Sequence, residues 1–288
     1  NLSEWANFLC LECPNGYSAV GGQTLNPYGR KKFDTGGSSS GSASSIAANY
    51  AAAAVGTETS GSILSPSSSN SIVGLKPTTG LLSRSGIVPL SSTLDTPGPM
   101  TKNVIDSAIL VSVMTGEDSA DIVTKNSPKN NKRYWEELQT GSLKGVRFGV
   151  NKTFLENSIY KLNVDNKQDS LDKIPYGQGR FEKILDTNLS VKELDQLRVK
   201  LHDAGVALFE KTMTEHQLDI ILSINNWNAG EAAAANYPCL TVPMGYTATG
   251  QPIGITFISR PFQEEMLLKI GYAFEQETKA RMLPTDYK

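Results

Sequence analysis

At 288 residues, 39% apolar and a net charge of −2, the chain can bury one substantial core and has no excess of basic charge with which to hold a polyanion. Nucleic acid and anionic membrane surfaces are thereby excluded as expected partners, and no run approaches the roughly 18 apolar residues needed to span a bilayer. Three cysteines and two histidines form neither a disulfide framework nor a zinc pattern, so the expectation is a soluble protein without metal or other cofactor.

In chain order, Cys10 and Cys13 share CxxC spacing, but no second pair follows, and they are read as ordinary loop thiols. Lys31 and Lys32 are read as solvated loop charges. Next comes Gly36-Gly37-Ser38-Ser39-Ser40-Gly41-Ser42. Glycines let a backbone approach a ligand closely, and amides exposed in such a loop can hold a developing oxyanion. A flexible linker would not continue, as this one does, into the alanine-rich residues 42–54, which are predicted to be a helix. A second segment, Gly56-Thr57-Glu58-Thr59-Ser60-Gly61-Ser62-Ile63, again presents serine among glycines.

Further helices are predicted over 104–114, 192–217 and 264–279, the last with Met266, Leu267, Ile270, Ala273 and Phe274 on one apolar face. Strands are predicted at 146–150, 220–224, 240–243, where Cys239 is a neighbouring buried residue, and 253–258. Their nearly continuous apolar, β-branched character suits a sheet covered on both faces. Residues 118–135 are polar and lysine-rich, a surface connection. The loop Asn225-Asn226-Trp227-Asn228-Ala229-Gly230 follows a strand and leads into a helix start at 232–235. There is no internal repeat and no sign of a second core.

Three other readings of the serines fail on their surroundings. Histidine is the usual partner of a serine nucleophile, but His202 and His216 both fall in the 192–217 helix among charged neighbours. Gly37-Ser38-Ser39-Ser40-Gly41 fits the GxSxG elbow of α/β-hydrolases, yet residues 28–35 make a poor buried strand to precede it. A phosphate-binding loop is excluded because no Gly-Lys-Ser/Thr closes either glycine-rich segment.

The spaced motifs continue through Gly74-Leu75-Lys76-Pro77-Thr78, Gly80-Leu81-Leu82-Ser83-Arg84-Ser85-Gly86 and Leu94-Asp95-Thr96-Pro97-Gly98-Pro99-Met100. Together with the two serine segments, they resemble the amidase signature family. Within it, Asn1-Leu2-Ser3-Glu4-Trp5-Ala6-Asn7, Thr59-Ser60-Gly61-Ser62 and Tyr272-Ala273-Phe274-Glu275-Gln276 are most similar to peptide amidases, which hydrolyse C-terminal carboxamides to acid and ammonia. The resemblance implies an α/β fold, a single domain with a mixed β-sheet sandwiched between helical layers, spanning 1–288.

It also implies a Ser-cisSer-Lys triad with Ser62 as nucleophile and Ser38, after a cis peptide bond, as the bridging serine. The amides of Thr59, Ser60, Gly61 and Ser62 match the oxyanion hole. Ser60 stands where many members have glycine, and Leu64 where many have arginine, departures that bear on substrate choice. The family's lysine lies well upstream of the bridging serine and has no counterpart here, since Lys31 and Lys32 match no family position and Lys76 occupies a structural one. Segments preceding residue 1 and near the Leu162–Asn163 junction are therefore expected to be absent from this chain. Arg84 and Asp95 are expected to pair in a buried network. Among aromatics, Trp5, Trp227 and Tyr237 are candidates for a peptide cleft, with Trp227 and Asn228 taken as substrate-binding. The expected partner is a small-molecule or peptide amide, and the expected state a monomer. Two competing readings are a glutaminase subunit of a transfer-RNA amidotransferase and a non-catalytic binding protein that retains the fold.

Overall fold

The computed structural model describes residues 13–18, 21–128, 132–141, 143–150 and 189–287. Asn1 to Asn7, Cys10 and the Leu162–Asn163 junction lie outside the described residues. A small hairpin of β1 (Tyr17–Ser18) and β2 (Gly22–Gln23) leads into α1 (Ser40–Ala47), β3 (Ala53–Glu58), α2 (Leu64–Ser69), β4 (Val73–Lys76), β5 (Thr96–Thr101) and α3 (Val104–Met114). Then follow β6 (Phe148–Val150), α4 (Val191–Glu215), β7 (Ile220–Ile224), α5 (Ala229–Ala234), β8 (Cys239–Tyr246), β9 (Pro252–Ile258) and α6 (Glu264–Thr278). Seven strands form one sheet in the order β3-β5-β4-β8-β9-β7-β6, antiparallel except for the β6–β7 pair.

Side chains alternate across the sheet and fill two layers. Leu240, Val242 and Phe257 join Leu267, Leu268 and Val111 of α6 and α3 on one face. Cys239 and Ile258 face the other way, onto Leu64 of α2, Phe209 and Met213 of α4, and Ala232 of α5. A third apolar cluster, with Ile46, Ile63, Ile72 and Met100, seats α1 against the β3–β5 end. The fold is thus a mixed sheet between helical layers.

Helix ends follow local chemistry. Asn103 caps α3 by accepting the Asp106 amide at 2.9 Å, and Ser190 and Glu193 form a reciprocal capping box on α4. At the end of α6, Lys279 takes a left-handed φ of 45°.

Residues 42–54 depart from expectation. The helix stops at Ala47, Asn49 turns the chain at φ 62°, and residues 53 onward become β3. Alanine favours helix, but the register from Ala53↔Thr101 to Glu58↔Thr96 recruits the stretch into the sheet through a partner 38 to 48 residues away. Strand β5 itself contains Pro97 and Pro99 within a fully buried segment. Its pairing with β4 stops at Met100, so the prolines lie beyond that shared ladder.

Cys13 differs from its reading as an ordinary loop thiol, because it is disulfide-bonded. Cys239 is a free, buried strand residue as expected, and burial pushes its thiol up to about 12.

Candidate active site

Ser38 and Ser62 face one cavity of about 70 Å³, although 24 residues separate them in sequence. The turn before α1 supplies Ser38, and the Gly37–Ser38 peptide bond is cis. Gly36 makes this approach possible: its φ is 67°, and a Cβ there would lie 2.6 Å from Pro66 Cα of α2. The turn between β3 and α2 supplies Ser62. The two turns are latched together, since the Ser39 amide donates to the Ser62 carbonyl at 3.1 Å. Ser39 Oγ also accepts the Thr57 amide and donates to the Thr57 carbonyl, each at 3.1 Å, and so splices the α1 turn to β3.

The Ser62 turn is shaped by a carboxylate. Glu58 is buried, and its Oε1 accepts the Gly61 amide at 2.7 Å while Oε2 accepts those of Ile63 at 2.7 Å and Leu64 at 3.0 Å. Burial raises the Glu58 pKa, opposed by the Lys76 charge and by these three amides. Lys76 is itself fully buried and donates to the carbonyls of Tyr237 at 2.9 Å and Pro77 at 3.2 Å. It does not line the cavity.

Of the four amides expected to form an oxyanion hole, that of Gly61 is already spent on Glu58, because a buried carboxylate demands donors. Among the described residues, the amides of Thr59, Ser60 and Ser62 have no acceptor in the protein.

Arg84 and Asp95 both belong to the network around the cavity, but they do not pair with each other. Arg84 is bidentate to Asp121, with Nη2 at 2.7 Å from Oδ1 and Nε at 2.9 Å from Oδ2, and the guanidinium holds the Asp121 carboxyl well below the usual range. Asp95 instead accepts Thr59 Oγ1 at 2.6 Å and the amides of Leu90 and Ser91 at 2.7 Å each. Asp121, sited in the polar connection far along the chain, carried no motif that marked it as the partner.

The loop at 225–230 does reach this region, though not through the residues expected to do so. A Cβ on Gly61 would lie 3.3 Å from Asn226 Nδ2. Trp227 is half exposed, Asn228 donates its amide to Ser223 Oγ at 3.3 Å, and neither lines the cavity. Tyr237 is a core residue stacked on Phe209 with ring centroids 5.0 Å apart, its hydroxyl donating to Glu210. Trp5 lies outside the described residues. His202 contacts the Ala234 carbonyl at 3.0 Å, and His216 caps α4, both away from the serines. No group of metal-ligating side chains occurs among the described residues, and no described helix is long and apolar enough to cross a membrane.

Glu58 and residues 87–90 of the cavity wall were missed in the sequence. For Glu58 a signal existed, an acid three residues before a glycine in a serine-bearing turn. For 87–90 there was none, because a wall is defined by what it faces.

The model of the family described as Amidase matches residues 1–173. A probable amidase of Arabidopsis thaliana is 33% identical over 350 residues, covering 99% of this chain and 68% of the relative. An amidase family protein from Bacillus anthracis superposes with a TM-score of 0.88 at 35% identity, over 98% of this chain and 68% of that one. The peptide amidase of Stenotrophomonas maltophilia gives 0.87 at 30% identity, over 99% and 74%. The chain spans about two thirds of the plant relative, 62% of a putative amidase of Arthroderma benhamiae and 37% of one of Schizosaccharomyces pombe.

Proposed function

The chain belongs to the amidase family, and from that premise we propose that it hydrolyses carboxamides, C-terminal peptide amides among them, to carboxylate and ammonia. Ser62 is the nucleophile and Ser38 the relay for its proton. The observation that carries this reading is the pair of serines on one cavity beside unengaged amides.

Ser62 Oγ attacks the amide carbonyl as its proton passes to Ser38 Oγ, which hands its own hydroxyl proton on to the amine base that the family resemblance implies. The tetrahedral oxygen accepts hydrogen bonds from the free amides of Thr59, Ser60 and Ser62, each such donor being worth about 3 kcal/mol in comparable sites. Collapse breaks the C–N bond, the departing nitrogen takes that proton back through Ser38 to leave as ammonia, and water then releases the acyl group from Ser62. That amine base is not among the described residues that line the cavity. Lys31 and Lys32 are exposed, and Lys76 is held by carbonyls.

A glutaminase subunit is disfavoured by Leu64, which is buried at the position where many members carry arginine. Ammonia release from a peptide amide tests the proposal. Ser62→Ala should lower it at least about 10³-fold with the fold retained, and Ser38→Ala should lower it strongly. Unchanged turnover in Ser62→Ala would sink the assignment.

A further inference from the structure

One wall of the cavity that holds the serines is apolar and tethered by hydrogen bonds. Residues 87–90, Ile-Val-Pro-Leu, line the cavity, with Val88 54% and Leu90 47% exposed at its mouth. Exposed apolar side chains are commonplace, but these sit on a loop pinned at both ends. The Asp95 carboxylate holds the amides of Leu90 and Ser91, and Arg84 Nη1 donates to the Ser92 carbonyl at 2.6 Å. Asp95 also binds Thr59 Oγ1, so the apolar wall and the amide-bearing turn share one anchor.

The charged groups of the described lining are all committed inside the protein. Glu58 is taken by three amides, Asp95 by a hydroxyl and two amides, and Arg84 by Asp121 and a carbonyl. A charged substituent entering here would lose water and meet no free counter-charge, which disfavours it. An alkyl or aryl substituent would gain roughly fourfold in affinity per buried methylene.

We propose that residues 87–90 form the acyl-selecting wall of the site, so that the preferred substrates are carboxamides whose acyl portion is neutral and apolar, with Val88 and Leu90 the residues that set the preference. This rests on the amidase reading above and deepens it. For a peptide amide, it means that the residue bearing the carboxamide carries an apolar side chain.

The test compares hexanamide, acetamide and the monoamide of adipic acid, which matches hexanamide in length but ends in a carboxylate. The intact protein should favour hexanamide over each of the others by at least about tenfold in kcat/KM. Val88→Lys, at an exposed position where folding is secure, removes apolar wall and supplies the missing counter-charge, and should bring the hexanamide-to-adipamate ratio down by at least about tenfold. Equal use of the three amides, or a ratio that Val88→Lys leaves in place, overturns the proposal. If no amide releases ammonia, the hydrolase reading fails by itself, and ligand-observed NMR decides the wall. Hexanamide binding to the unsubstituted protein without adipamate binding, reduced by Val88→Lys, keeps the wall assignment; equal or absent binding of both overturns it.

Discussion

Helix α6 and the turn from Glu58 to Leu64 hold their places by different physics. Leu267, Leu268, Ile270 and Ala273 of α6 vanish into the layer against β8 and β9, so its position is fixed by area removed from water. The turn buries a carboxylate instead, and its shape comes from three amides converging on Glu58. Apolar packing tolerates a shift of some tenths of an ångström, whereas three convergent hydrogen bonds fix direction as well as distance. A site that must aim amides at one oxygen is better served by the second. Helix α4 supplies a third case. It has an apolar pattern of the same kind, yet Leu194, Leu197 and Leu201 remain exposed, with no described partner over them.

The largest effect is expected from Glu58→Ala, which leaves three amides without their acceptor and the Lys76 ammonium without a counter-charge. About 4 kcal/mol of unfolding free energy should be lost in urea denaturation. Glu58→Gln, which keeps an acceptor, should lose less stability while still lowering ammonia release. A Glu58→Ala protein as stable as the parent would mean that the turn is held by something else. Leu267→Ala follows at about 3 kcal/mol, the usual cost of emptying a fully buried leucine site. In contrast to Glu58→Gln, it should leave ammonia release by the folded protein as it was.

A smaller, pH-dependent effect is expected at Glu275, whose carboxylate takes the Val104 amide at the start of α3 and whose pKa burial pushes up from 4.5 to about 7. Between those values the folded state binds more protons than the unfolded one, so this group makes stability fall as pH rises from about 5 to 7. Glu275→Gln keeps an acceptor for Val104, and should flatten the change in melting temperature between pH 5 and pH 8. An unchanged slope would exclude Glu275 as its source. The smallest effect is expected from Leu197→Ser in α4, within about 0.5 kcal/mol because the side chain is already in water. A loss near that of Leu267→Ala would show that the α4 stripe is covered in solution, and would remove the contrast between the two helices.

Much of the frame was legible in the sequence. Helices 104–114, 192–217 and 264–279 stand where periodicity puts them, to within two residues, and the strands at 220–224, 240–243 and 253–258 are present, the last two somewhat longer. Strands β3, β4 and β5 were not legible. An alanine run, a Val-Gly-Leu-Lys tetrapeptide and a proline-bearing hexapeptide become strands by pairing with one another and with β8. The serine segments were visible as motifs, and the cavity that joins them was not.

By itself, the sequence determined where apolar periodicity forces helix or strand, where glycines permit tight turns, and which family the motifs resemble, because each of these is settled by residues a few positions apart. Tertiary structure alone decided that Arg84 meets Asp121 and not Asp95, that the Gly61 amide serves Glu58, and that Tyr237 is core while residues 87–90 face the serines. A charge or an amide takes the partner that long-range folding brings within about 3 Å, and no local pattern encodes that neighbour.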